Sequence, residues 1–137
     1  MDEPLNIVLF SGTDDRLQAA AVLTAGAAAL GRPVNIFLQY WALDAFCAAG
    51  IDRDHGLAPE AGEHGRAAVK ALAAAGQATW ADTLRAAKDL GAVDIQASSL
   101  SMDLLHLEEG DLDPLVDGVE GVTAFYLNAG TGQVLFI

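Results

Sequence analysis

The amino-acid sequence predicts an α/β protein: one three-layer α/β/α domain built around about five mostly parallel strands. Three observations lead there. Continuous apolar runs rich in β-branched residues recur at 5–10 (LNIVLF), 34–40 (VNIFLQY) and 92–98 (AVDIQAS), the pattern of strands covered on both faces. Ala-rich helical stretches lie between them, and a helix joining two doubly buried strands makes the pair parallel. The 137 residues are 53% apolar and 19% charged, enough for one core without a disulfide or structural metal.

After the first strand, Asp14 and Asp15 open a helix expected to reach Leu30, since acids in a first turn complement the helix dipole. Residues 19–30, AAAVLTAGAAAL, are apolar nearly all round, so this helix should be largely buried. Gly26 inside it points to close backbone packing, Gly31 stops it and Pro33 prevents its restart. WALDAFCAAG (41–50) reads as a short helix ending at Gly50, and 50–65 as a long aperiodic loop. RAAVKALAAAG (66–76) and TWADTLRAAKDLG (79–91) read as helices, the second with a capping-box pattern at Thr79 and Asp82. Residues 101–118 read as an acidic, partly helical passage. VTAFYL (122–127) and QVLFI (133–137) read as two more strands, and the NAGTG between them is too short for a crossover helix. They are therefore expected to form a hairpin or to lie apart with a tight connection.

The net charge is −12, and no Lys or Arg follows Lys88 while nine acids do. Nucleic-acid binding requires clustered cations, so a polyanion partner is excluded; the acidic stretch reads as a solvated face or as a surface for a basic partner protein. A single cysteine, Cys47, rules out an internal disulfide. The acidic start MDEPLNIVLF lacks the charged region of a signal peptide, and no apolar stretch suits a membrane span. A cytoplasmic protein is expected.

Four places carry candidate chemistry. SGTDDR (11–16), between strand and helix, matches neither phosphate-loop pattern, and its two aspartates would repel a phosphate. It reads as a capping turn. Asp52, Asp54, His55, Glu60, Glu63 and His64 crowd one loop, but their spacing fits no zinc or calcium signature, so no metal is expected. Cys47 has apolar neighbours and sits late in its helix, so it reads as buried and inert. QASSLSMD (96–103) places Ser98, Ser99 and Ser101 where a strand gives way to a helix. Helix capping explains such serines. Nucleophilic catalysis would need a histidine, and His55, His64 and His106 are the three present.

Three segments bear a resemblance to a known family. IVLFSGTDDRLQAAAVLTAGAAALGRPVNIFLQYWAL (7–43), QASSLSMDLLHL (96–107) and LVDGVEGVTAFYLNAGTGQVLFI (115–137) resemble the DsrE/DsrF-like sulfur-relay proteins, in their peroxiredoxin-like branch. The resemblance implies a flavodoxin-like, YchN-like subunit that assembles into homo-oligomers and carries sulfane sulfur on the cysteine of an Ala-Cys-x-x-Ser-Met-Asp motif. Ala97, Ser101 and Met102 match that motif, but Ser98 stands where the cysteine belongs. A serine hydroxyl cannot hold a persulfide.

Three readings follow. In the favoured one the chain is a non-catalytic member whose pocket, formed by Ser11, Gly12, Trp41, Ser98, Ser99, Ser101 and Met102, binds a small molecule or a sulfur-carrier protein. In the second it is a sulfurtransferase carrying a Cys-to-Ser exchange at Ser98. In the third, Ser98 or Ser99 acts as a serine nucleophile with a histidine brought in by folding. None of the three calls for a cofactor.

Overall fold

The first three expected strands all form in the computed structural model, which describes residues 3–137. They are β1 (Leu5–Leu9), β2 (Val34–Leu38) and β3 (Val93–Ser98). Two three-residue strands, β4 (Gly118–Glu120) and β5 (Val134–Phe136), complete a sheet ordered β4-β3-β2-β1-β5. Every neighbouring pair is parallel, with Ile7 opposite Ile36 and Ile36 opposite Ile95. Six helices connect the strands: α1 (Asp14–Ala29), α2 (Tyr40–Ala45), α3 (Gly62–Ala74), α4 (Trp80–Leu90), α5 (Ser99–Leu104) and α6 (Val122–Ala129).

Handedness decides where the helices lie. From β1 through β4 the chain steps across the sheet in one direction, so right-handed crossovers place the intervening helices on one face. From β4 to β5 it returns past the whole sheet, so α6 belongs to the opposite face. The packing agrees. Ile7, Leu9, Ile36, Leu38, Ile95 and Ala97 join Leu17, Ala20 and Ala21 of α1 and Leu84 of α4 in one core. On the other face the Phe37 ring stacks on Phe125 of α6, centroids 4.9 Å apart.

Several expectations need correction. VTAFYL is a helix and not a strand, and the fourth strand is the GVE of 118–120, inside the acidic passage. The hairpin is therefore absent, and β5 pairs in parallel with β1. The 41–50 helix ends at Ala45. The loop after it is shorter than expected, because α3 already begins at Gly62 behind a 3-10 turn at Pro59–Ala61. Helix α1 buries one side only, leaving Val22 and Leu23 exposed, and Gly26 faces open space. The close approach of α1 and α4 falls instead at Gly91, where a Cβ would lie 3.2 Å from that of Ala28. Gly31 ends α1 at φ +73°, as expected of a residue free to enter the left-handed region. Thr79 supplies half of the expected capping box, accepting the Asp82 N–H at 3.2 Å.

A wholly buried amide fastens the returning segment. Asn6 of β1 donates through Nδ2 to the carbonyls of Ala129 and Gln133, both at 3.2 Å. Its Oδ1 accepts the Nδ2–H of Asn35 on β2 at 2.9 Å. Asn35 in turn reaches the Asn128 carbonyl at 3.3 Å. No buried side-chain polar atom among the described residues lacks a partner. Replacing Asn6 with alanine would strand several of these groups, and each unsatisfied buried group costs about 1–3 kcal/mol. Urea denaturation of Asn6→Ala is expected to show a loss of about 2–4 kcal/mol in stability with the slope unchanged.

Candidate functional site

At the carboxyl ends of β3 and β4 the chain leaves the sheet in opposite directions, α5 to one face and α6 to the other. In open α/β sheets, ligands bind where neighbouring strands diverge in this way. Ser98 ends β3 and is the N-cap of α5. Its hydroxyl accepts the Ser101 N–H at 3.3 Å, and the residue is 5% exposed. Capping, one of the two roles read from the sequence, is thus what this oxygen does. Ser99 is exposed, its hydroxyl 3.8 Å from where a Cβ on Gly121 would stand.

The neighbouring strand β4 carries a carboxyl that the sequence reading did not single out. Glu120, at the end of β4, pairs with Ser98 across the sheet. Burial pushes its carboxyl up from the ordinary value and Asp94 adds to the rise, while a hydrogen bond from the Asn128 amide at 3.2 Å opposes it. Nothing in the sequence marks Glu120, because its surroundings depend on which strand β4 pairs with.

The other expected site residues are joined by a chain of contacts along the same sheet edge. Ser101 is buried, and its hydroxyl accepts the Tyr40 N–H at 3.1 Å. Tyr40 has φ +44°, a strained conformation for a residue with a Cβ. The chain turns there into α2, leaving Trp41 57% exposed. Gly12, in the turn after β1, packs so closely on Trp41 that a Cβ would overlap its carbonyl. Ser11 is buried with its hydroxyl 3.3 Å from that of Thr13, the N-cap of α1, which makes no side-chain cap bond. Met102 is buried beneath α5. Phe10 adds aromatic surface, its ring 4.8 Å from Tyr40 and 5.7 Å from Phe136.

The histidines go elsewhere. The His55 ring lies against Trp80, its Nδ1 accepting from Arg53 at 3.3 Å and its Nε2 3.1 Å from the Ile51 carbonyl. His64 sits in the first turns of α3, and His106 follows α5 at φ +54°. Among the described residues no histidine hydrogen-bonds Ser98 or Ser99, so the serine-nucleophile reading gains no base. The acids of the 52–64 loop do not converge either: among the described residues no three of His, Cys, Asp and Glu form a metal-binding group. Asp14 and Asp15 tie this loop to α1. Asp14 accepts the Trp80 indole N–H and the His55 N–H, both at 2.9 Å, and Asp15 accepts the Ala58 N–H at 3.2 Å.

Cys47 is half-buried, not fully buried as expected, and follows α2 in a one-residue bridge with Leu112. Burial raises its thiol above the ordinary range, and Asp44 and Asp111 reinforce the rise against an opposing pull from Arg53.

The fold defines a parallel five-stranded α/β protein whose helices part to opposite faces after β3 and β4. Among solved structures the chain is similar to the ychN protein from E. coli, with a TM-score of 0.60, 15% sequence identity and full coverage of both chains. That likeness is one of fold. No protein-family model and no curated protein matches the sequence. No helix among the described residues is long and apolar enough to cross a membrane.

A raised thiol pKa means little thiolate at neutral pH, and thiolate is the nucleophile. Iodoacetamide is expected to alkylate Cys47 more slowly than a free thiol at pH 7.5. The rate should climb only as pH rises beyond the ordinary thiol range, as intact-mass measurements over a pH series would show.

Proposed function

We propose that the chain is a DsrE/DsrF-like protein that has lost sulfur transfer and acts by binding. Its site is the sheet edge formed by Ser11, Gly12, Trp41, Ser98, Ser99, Ser101 and Met102. The observation that carries the reading is the state of Ser98. Its oxygen stands where the resembling family has a sulfur nucleophile, and here that oxygen is buried and committed to capping α5. The one thiol, Cys47, lies after α2 with its ionisation suppressed. What remains at the sheet edge is a rigid polar turn beside an exposed indole, suited to holding a small molecule or a carrier-protein segment and not to attacking it.

The reading is tested by sulfur transfer. With Cys47 alkylated, the unaltered polypeptide incubated with thiosulfate or a glutathione persulfide is expected to gain no sulfur by intact mass and to turn over neither donor. Turnover above the protein-free rate would overturn the reading.

The same reading includes a cytoplasmic homo-oligomer. What supports self-association is the thin second layer of the sheet. Only the eight residues of α6 cover that face, leaving Leu127 78% and Phe136 69% exposed, with Val122 and Tyr126 beside them. Large apolar side chains exposed together on one short helix and an edge strand favour an interaction site. Sedimentation velocity at micromolar concentration is expected to show an oligomer that Leu127→Glu dissociates. A native monomer there would remove the oligomer from the reading.

A further inference from the structure

A cleft lies between α3 and the first turns of α1 and α4. Helix α3 spans thirteen residues and buries none of them. An isolated helix of that length is marginal in water, because packing of an apolar face supplies most helical stability. Its apolar side chains Val69 and Leu72 look across a cleft of about 360 Å³ at Ile51, Leu57 and Trp80. That volume falls within the range of small-molecule pockets, about 300–1,000 Å³.

Charge selects the occupant. Asp14, Asp15, Asp52 and Arg53 also line the cleft. Arg53 is already bound to Asp44 at 3.0 Å, and Arg16 nearby is bound to Glu60 at 3.1 Å. Among the described residues no ion pair reaches Asp14, Asp15 or Asp52. Asp15 is held ionised. Its partial burial works against the charge, but hydrogen bonds from Thr13 and from the N–H groups of Ala58 and Arg16 outweigh it and keep the pKa below the usual value. Each oxygen of Asp14 accepts a single hydrogen bond, so an acceptor direction remains on both. The cleft therefore joins apolar side chains to carboxylates that no ion pair among the described residues reaches.

We propose that this cleft binds a small amphiphile with one cationic amine, its apolar body between Trp80 and the Val69–Leu72 side of α3 and its amine against Asp14 and Asp15. Such a ligand touches both walls at once and gives α3 the packing partner it lacks. An anionic amphiphile of equal size meets repulsion from the same carboxylates.

Two probes of matched shape test this on the full chain: 4-phenylbutylamine and its anionic counterpart 4-phenylbutyrate, titrated to millimolar concentration and followed by NMR. The amine is expected to shift the Trp80 indole N–H and the methyls of Ile51, Leu57, Val69 and Leu72 saturably, and the acid to bind at least tenfold more weakly. Leu72→Gln, half-exposed on a helix that buries nothing, keeps the fold and is expected to weaken the amine at least fivefold. Four results would overturn the proposal: no saturable shift, equal response to both probes, shifts centred on Trp41, or Leu72→Gln binding as well as the native chain. Movement of the cleft resonances with protein concentration alone would also do so, since a second copy would then be the occupant.

Discussion

The side-chain amide of Asn6 settles where the last part of the chain can go. It is polar and wholly buried in a strand next to the sheet edge, so each of its hydrogen-bonding groups must find a partner inside the protein. The partners are the carbonyls of Ala129 and Gln133 and the amide of Asn35. Two of those belong to the end of α6 and to the turn before β5. A close fit at Gly132, where a Cβ would overlap the Pro4 carbonyl, adds a steric limit to the polar one. Together they place β5 beside β1. Once β5 lies there, α6 must cross the face opposite the other helices, so α5 and α6 part company at the edge where Ser98 stands.

That dependence explains which parts of the fold were legible in the sequence. Buried parallel strands carry their own signature, and β1, β2 and β3 appear within a residue or two of the apolar runs that predicted them. VTAFYL was misleading because Val, Thr, Phe and Tyr favour strands while the structure uses them on a helix. Tertiary context prevailed over propensity there: Phe125 and Ala129, four residues apart, turn inward, and Phe125 finds the Phe37 ring. A parallel β4–β5 connection requires a crossover, and this segment is the only helix between them. The fourth strand escaped notice because three residues, one of them glycine, hold too little pattern to read.

The candidate site divides the same way. Ser98 as a cap was readable, since a serine before a short apolar run at a strand end has a local reason to be there. Cys47, expected to be fully buried, is half-buried and bridged to Leu112, a pairing that no spacing in the sequence announces. Glu120 and the cleft under α3 were not readable. Both arise from which distant segments meet, and neither leaves a spacing in the sequence. The 52–64 loop, from which no metal site was expected, is in part a clasp, with the His55 and Ala58 N–H groups taken up by the carboxylates of Asp14 and Asp15.

The Ser98 hydroxyl bears on the mechanics of this edge. A hydroxyl accepts a backbone N–H at ordinary strength, whereas a thiol accepts weakly, and a serine cap is worth about 1 kcal/mol to the helix it begins. The gain is passed along the edge, because α5 carries Ser101, whose hydroxyl accepts the Tyr40 N–H. Tyr40 is held at φ +44°, a conformation costing about 1–3 kcal/mol that persists only where its surroundings over-determine it. That conformation in turn sets Trp41 facing outward against Gly12. A chain of oxygen contacts thus links the cap of α5 to the turn that presents Trp41.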